Sequence, residues 1–307
     1  MANAKHAFIE RIRTLNISIS ETEAVRSKGP SERGHNEIAR MLRNGLAVVG
    51  FASLEDFIKA RSCEVLDSIG PLGVSFEKLP EKVQIATTYG AVLALNYQLG
   101  LRDKQDKITF VQEHAQKISS TTNNGYQLTS LAFGFGQANL NAETVKNILG
   151  SFNIDNPWTQ ITKIASSLGL AALPLQESFT NAASRRHRAA HVAGADTPQG
   201  DISQFVNEAI AIAVGYDFLL SKAFNMIKNL DSAYLNGESK IKADDIVYRV
   251  VRHSDSKWKE HITGRVKAFR TSRDLVSLSN EAKRRAIMSD QFYIQFDKNG
   301  LIDDWAC

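Results

Sequence analysis

Residues 201–230 read DISQFVNEAIAIAVGYDFLLSKAFNMIKNL. Ile202, Phe205, Val206, Ile210, Ile212, Val214, Phe218 and Leu219 recur at three- and four-residue steps and also fill the positions between them. The resulting helix is apolar on most of its faces. Such a helix belongs at the centre of a bundle or in a dimer interface. Asp201 is placed to cap it, and it runs to about Leu230.

The segment before it, from Leu175 to Ala193, also reads as a helix and ends in ESFTNAASRRHRAAH, residues 177–191. Gly194 offers a stop and ADTPQG a turn. Further upstream, NEIARMLRNGLAVVGFASLEDFIK (36–59) is strongly helical. Ile38, Met41, Leu42, Leu46 and Val49 share one face, and Gly45 and Gly50 leave room for close helix approach. Ser53, Glu55 and Asp56 resemble a fresh N-terminus, so residues 35–69 make one long or kinked helix or two shorter ones. Helices are predicted at Pro80–Gly100 and Lys104–Ser120. Another opens behind Asn141, a good N-cap, and another at Pro157–Trp158. Gly134 and Gly136 form a Gly-x-Gly that reads as a turn, because no strand–helix unit surrounds it.

These elements predict an all-α fold. An N-terminal arm covers 1–29, with a helix from Ala4 to Leu15, and a helical domain covers 30–230. A basic C-terminal extension covers 231–307; residues 240–290 of it look helical. QFYIQFDKNGLIDDW (291–305) alternates around Lys298-Asn299-Gly300, which predicts a small closing β-hairpin.

The chain has 307 residues, 43% hydrophobic and 23% charged, a balance that supports a packed core and excludes disorder as the default. Net charge is +4 and the pI is near 8.9, compatible with a polyanionic partner but far from a basic tail. The two cysteines, Cys63 and Cys307, have no neighbour at a metal or redox spacing, so neither a zinc site nor a disulfide framework is expected. MANAKHAFIERIRTLN lacks the apolar run of a secretory signal. No stretch approaches 18 uninterrupted apolar residues, so the expectation is a cytoplasmic chain without a membrane span.

The chemistry gathers in Arg185, Arg186, His187, Arg188 and His191. At 100° per residue His187 and His191 fall about 40° apart, one turn along, and Arg188 about 60° from His191. No Asp or Glu occurs between Glu177 and Asp196. Uncompensated cations weaken a helix unless an anion neutralises them, and phosphate is the natural anion. The same groups answer the needs of RNA cleavage without a metal or cofactor. The ribose 2′-hydroxyl must lose a proton, the leaving 5′-oxygen must gain one, and the phosphorane charge must be stabilised. Histidine serves as acid or base near neutrality, and arginine forks onto phosphate oxygens. The plainer reading is a solvated basic helix end that complements the helix dipole.

Arg186-His187-Arg188-Ala189-Ala190-His191 resembles the Arg-x4-His motif of HEPN domains, in which a polar residue often follows the arginine. Together with residues 36–59, with NLNAETVKNILGSFNIDNPW (139–158), and with the long helix after the motif, the chain resembles the RiboL-PSP-HEPN branch over roughly residues 30–230. The resemblance implies a helical bundle, usually a homodimer with two motifs facing a shared cleft, and metal-independent endoribonuclease activity. Such proteins often serve in phage defence or toxin–antitoxin pairs, which would supply an antitoxin or regulatory partner. In this account Arg186 and His191 are catalytic, while His187, Arg188 and Arg185 support phosphate binding. Arg185 and His191 also satisfy an Arg-x5-His reading, so either arginine could face the cleft. The alternative is a non-catalytic RNA- or nucleotide-binding or regulatory HEPN protein. His35, Asn36, Glu37, Glu55 and Asp56 are candidate supporting groups. Lys283, Arg284 and Arg285, with Arg265, Lys267, Arg270 and Arg273, could guide RNA toward the site.

Overall fold

The computed structural model describes residues 3–133, 136, 139–170 and 174–307. Gly134, half of the Gly-x-Gly, lies outside them. The fold is mostly helical: α1 (Asn3–Glu21), α2 (Arg33–Ile69), α3 (Glu81–Thr87), α4 (Tyr89–Gly100), α5 (Lys107–Ser120), α6 (Ala142–Ser151), α7 (Pro157–Ser167), α8 (Leu175–His191), α9 (Gln199–Lys228), α10 (Ser232–Leu235) and α11 (Leu275–Met288). Strands β1 (Tyr248–Ser254), β2 (Lys257–Ile262), β3 (Arg270–Ser272), β4 (Phe292–Phe296) and β5 (Ile302–Ala306) complete it.

The apolar helix α9 lies at the centre, as its pattern requires, with α1, α2, α7 and α8 packed around it. Pro198 rather than Asp201 occupies its N-cap, and Asp201 falls in the first turn, where a carboxylate complements the helix dipole. On length and hydropathy (1.4 over its most apolar window) α9 could cross a membrane, yet 78% of that window is buried inside the protein, as in a core helix. Two glycines permit close helix packing. A Cβ at Gly50 of α2 would stand 2.8 Å from Leu15 of α1, and one at Gly215 of α9 would stand 3.1 Å from the Ile161 Cα of α7.

Residues 33–69 form one helix. Ser53 does not restart it, because its hydroxyl donates to the Val49 carbonyl at 2.8 Å within the same helix. The expected helix at Pro80–Gly100 is two, broken where Thr88 leaves helical geometry (φ −112°, ψ −100°). Asn141 caps α6 as expected, its side chain accepting from the Thr144 amide at 2.8 Å. The N-terminal helix is longer than expected, and Phe8, Ile9, Ile12, Leu15 and Ile19 bury it in the main core.

The C-terminal region departs most from an all-α fold. Its basic stretch, expected to be helical, holds three strands and α11, and the sheet has the order β3-β2-β1-β4-β5. All neighbours are antiparallel except β1 and β4, which run parallel through the α11 crossover. The reason is a buried charge. Along β2, Trp258, Glu260 and Ile262 point inward with period two, but Glu260 sits there as a carboxylate held by Arg249 at 2.7 Å and Arg285 at 2.6 Å. Charges on the inner face disguise the alternation. The expected hairpin is present as β4–β5, with Asp297 accepting from the Asn299 and Leu301 amides across the turn.

One sheet face packs on α11 through Val251, Trp258 and Tyr293. The other joins the bundle core, where Phe292 stacks on Phe218 of α9 at 4.7 Å. The final strand inserts Trp305 between Phe8 and Phe57, fully buried, with its indole N–H donating to Asp217 at 2.8 Å. Trp305→Ala is therefore expected to cost about 3–5 kcal/mol of global stability. Guanidinium denaturation should show one cooperative transition at a lower midpoint. Separate loss of a C-terminal transition, with the bundle unaffected, would show that the sheet is not part of the same cooperative core.

Candidate active site

Helix α8 buries Leu175, Ser178, Phe179 and Ala182, the stripe that turns toward α2 and α9. One turn beyond Ala182, the same stripe reaches Arg186. It is partly buried, and its Nε is shielded from solvent without a hydrogen-bond partner among the described residues. His187, Arg188 and His191 lie on the exposed side. The two imidazoles meet with ring centroids 4.8 Å apart, as their spacing predicts. Arg186 and His191, five residues apart, project about 140° from one another around the helix. Within one chain the structure thus brings the two histidines together and sets Arg186 toward the interior. Arg185 points another way, toward Asp201 on α9, at 3.7 Å.

The end of α8 is held by residues that sequence reading passed over. Arg43, almost fully buried on α2, donates to the Thr197 carbonyl at 3.0 Å, to the Val25 carbonyl at 2.9 Å and to Asp196 at 2.6 Å. Beside it the Asn44 amide donates to the Ala195 carbonyl at 2.7 Å and its oxygen accepts from the Thr197 amide at 3.1 Å. The loop after His191, which looked like a plain turn, is therefore fastened to α2 along its length. In the sequence Arg43 and Asn44 stand out only as a polar pair between Met41-Leu42 and the apolar run that begins at Leu46.

That stretch holds a second difference. Ile38, Met41, Leu42 and Val49 do share a face, but it looks to solvent: Met41 is 71% and Val49 60% exposed. The inward positions are Ala39, Arg43 and Gly50. Met41, Asn44, Gly45, Val48 and Val49 form one wall of a groove of about 630 Å³ whose other wall runs from Ala189 through His191 to Ala193. An apolar surface and the exposed histidine therefore share one concavity.

Of the candidate supporting groups, four are committed elsewhere. His35 bonds the Arg26 carbonyl, Asn36 the 28–29 backbone, Glu37 pairs with Arg40, and Asp56 with Arg11. Glu55 is different. It is buried, accepts from the Leu140 amide at 2.7 Å, and feels the charge of Arg186 across the α2–α8 packing. Among the described residues no group of three or more His, Cys, Asp or Glu is arranged to hold a metal ion.

A family model, RiboL-PSP-HEPN, matches residues 7–236. The chain belongs to the RiboL-PSP-HEPN family. The match begins within α1 and ends beyond α10, so it contains all of the bundle but the first residues of α1 and leaves the sheet outside. HEPN membership fits an RNA-related, often ribonuclease, function. Neither the curated proteins nor the solved structures give a match.

Glu55 of this HEPN domain yields a test. Burial pushes its carboxyl above the ordinary value, against the pull of the Leu140 amide and of Arg186. The folded state then disfavours the ionised form, so its contribution to stability is complete below the ordinary titration range and declines as pH rises through the raised value. Glu55→Gln removes that titration. Urea denaturation at several pH values is expected to show a flatter decline from mildly acid to neutral pH in the variant than in the parent. Parallel curves would assign the titration to another group.

Proposed function

We propose that this HEPN chain is an endoribonuclease that works as a homodimer and needs no metal ion. The observation that carries the reading is the paired, exposed imidazoles of His187 and His191 beside Arg188, with Arg186 rooted behind them and no carboxylate among them. In the reaction the 2′-oxygen attacks phosphorus and gives up its proton, the phosphorus–O5′ bond breaks, and O5′ takes a proton. The products are a 2′,3′-cyclic phosphate and a 5′-hydroxyl. His191 is the proton-transfer group. Arg186 stabilises the phosphorane. His187 and Arg188 position the phosphate, and Arg185, tied to Asp201, shapes the surrounding field.

One motif supplies few groups, and its arginine and histidine diverge around the helix. A two-fold axis through the groove would double them and let the arginine of one protomer approach the histidine of its partner. The exposed apolar residues Ile38, Met41, Leu42 and Val49, which continue directly into the His191 groove, fit a second copy of the same face.

The deciding assay is RNA cleavage in EDTA. The parent chain should leave cyclic phosphate ends, while Arg186→Ala and His191→Ala should each lower the rate by on the order of 10²–10³ or more. Intact RNA, with folded protein, would leave a binding protein whose basic helix end serves recognition. The dimer has its own test in Val49→Asp, which places a charge in the apolar face. Sedimentation should show a monomer, and cleavage should fall although the motif is untouched. A monomeric parent with full activity would refute the shared cleft.

A further inference from the structure

The C-terminal sheet carries a basic surface that the bundle does not explain. The structure sorts the cations of this region into two groups. Arg249 and Arg285 close on the buried Glu260, Arg285 and Arg270 pair with Glu281, and Lys283 pairs with Asp304. On the other side, Arg265, Lys267 and Arg273 are exposed and form no ion pair among the described residues. Arg265 and Lys267 stand on the loop joining β2 to β3 and Arg273 follows β3 at its far end, and no Asp or Glu occurs between Glu260 and Asp274. Glu260 thus pairs inside and Glu281 and Asp304 engage their neighbours, while cations without a carboxylate partner are left along one edge. Such a patch raises the local potential and repels itself until an anion arrives.

The loop is built to present Arg265 and Lys267. At one end the Arg265 amide donates to the Ile262 carbonyl at 3.0 Å, with Gly264 in the left-handed turn position (φ 76°). At the other end the Phe269 amide donates to the Glu260 carbonyl at 2.7 Å. The Phe269 ring lies 5.0 Å from the Arg249 guanidinium and 5.6 Å from that of Arg285. The buried Glu260 therefore fixes, through its two arginines, the aromatic foot of the loop. Val266 at the tip is 96% exposed, between Arg265 and Lys267.

This edge is separate from the motif. Asp201, which meets Arg185, and Phe218, which stacks on Phe292 of the sheet, are separated by about 25 Å along α9. No hydrogen bond or ion pair among the described residues joins residues 263–273 to α8.

We propose that the β2–β3 edge, through Arg265, Lys267 and Arg273, is a second contact surface for the phosphate backbone of RNA, holding strand that lies beyond the motif. The proposal rests on the reading of this chain as RNA-directed, but not on its being catalytic. Three unpaired cations spaced along one sheet edge suit a backbone of successive phosphates.

The test measures binding of a long single-stranded RNA by fluorescence anisotropy across a salt series. It uses the full chain with His191→Ala, so that the RNA stays intact. Adding Arg265→Ala, Lys267→Ala and Arg273→Ala should weaken binding at low salt. It should also reduce the slope of log affinity against log salt by about 2, from roughly 0.7 for each lost single-strand phosphate contact. Arg265→Lys with Arg273→Lys should keep the slope, because charge and not fork geometry is what the surface supplies. An unchanged slope in the alanine variant overturns the proposal. So does loss of binding to phosphatidylserine vesicles with RNA binding intact, which would make the edge a membrane contact. Cleavage in EDTA with an unchanged slope fails this proposal alone. A reduced slope in a chain that never cleaves RNA fails only the nuclease reading.

Discussion

A carboxylate in the middle of an apolar helix must be paired or it unfolds its surroundings, and Asp217 of α9 is paired from three sides. Arg61 of α2 donates to it at 2.6 Å, Ser221 at 3.1 Å and the Trp305 indole at 2.8 Å. Leaving a buried charge without one partner costs several kcal/mol, so this contact permits few alternatives. It fixes the rotation of α2 against α9 and requires the last strand to end inside the bundle. From there the consequences run the length of α2. Arg43 lies five turns before Arg61, roughly 27 Å away, and on nearly the same line of the helix. Setting one guanidinium onto Asp217 therefore sets the other against the loop after α8. The position of His191 descends from a salt bridge at the far end of the rod.

The elements legible in the sequence were those whose apolar pattern is strong enough to outweigh a charge on the inner face, as α9 outweighs Asp217. Helix α9, the buried stripe of α8, the Asn141 cap and the β4–β5 hairpin follow from local pattern and turn chemistry. The strands β1 and β2 did not, because Arg249 and Glu260 occupy inward positions and imitate a wet helical face. The apolar stripe of α2 was legible as a stripe but not as an exposed one. Periodicity gives a common face; which neighbour covers it is long-range information. The same holds at the site. The His187–His191 pair follows from spacing alone, whereas the Arg43 and Asn44 contacts join residues about 150 positions apart. The rotation that separates Arg186 from the histidines could be calculated, and Glu55 was among the candidate supporting acids, but that Glu55 rather than Glu37 or Asp56 lies near Arg186 depends on how α2 packs against α8.

The basic end of α8 persists as a like-charge cluster for a specific reason. Cations near a helix C-terminus gain from the dipole, which offsets part of their repulsion. The nearest acids in sequence would ordinarily finish the neutralisation, but Asp196 is held by Arg43 and Asp201 by Arg185. Both carboxylates are thus engaged by arginines outside the His187–Arg188–His191 face. The neighbouring loop could not collapse onto the imidazoles without giving up bonds to α2.

The C-terminal sheet follows the same arrangement with different parts. Glu260 holds Arg249 and Arg285 inside, Glu281 holds Arg270, and the cations without acids remain at the edge. In both places carboxylates are engaged by ion pairs, several with buried arginines such as Arg43 and Arg249, and unmatched positive charge is left where solvent and ligands have access. Interior pairs contribute little net stability over apolar packing, but breaking one is expensive, so they specify geometry more than they strengthen it. A fold that places its acids this way gains rigid supports for exposed cations. It accepts in return a local repulsion that only an anionic ligand relieves.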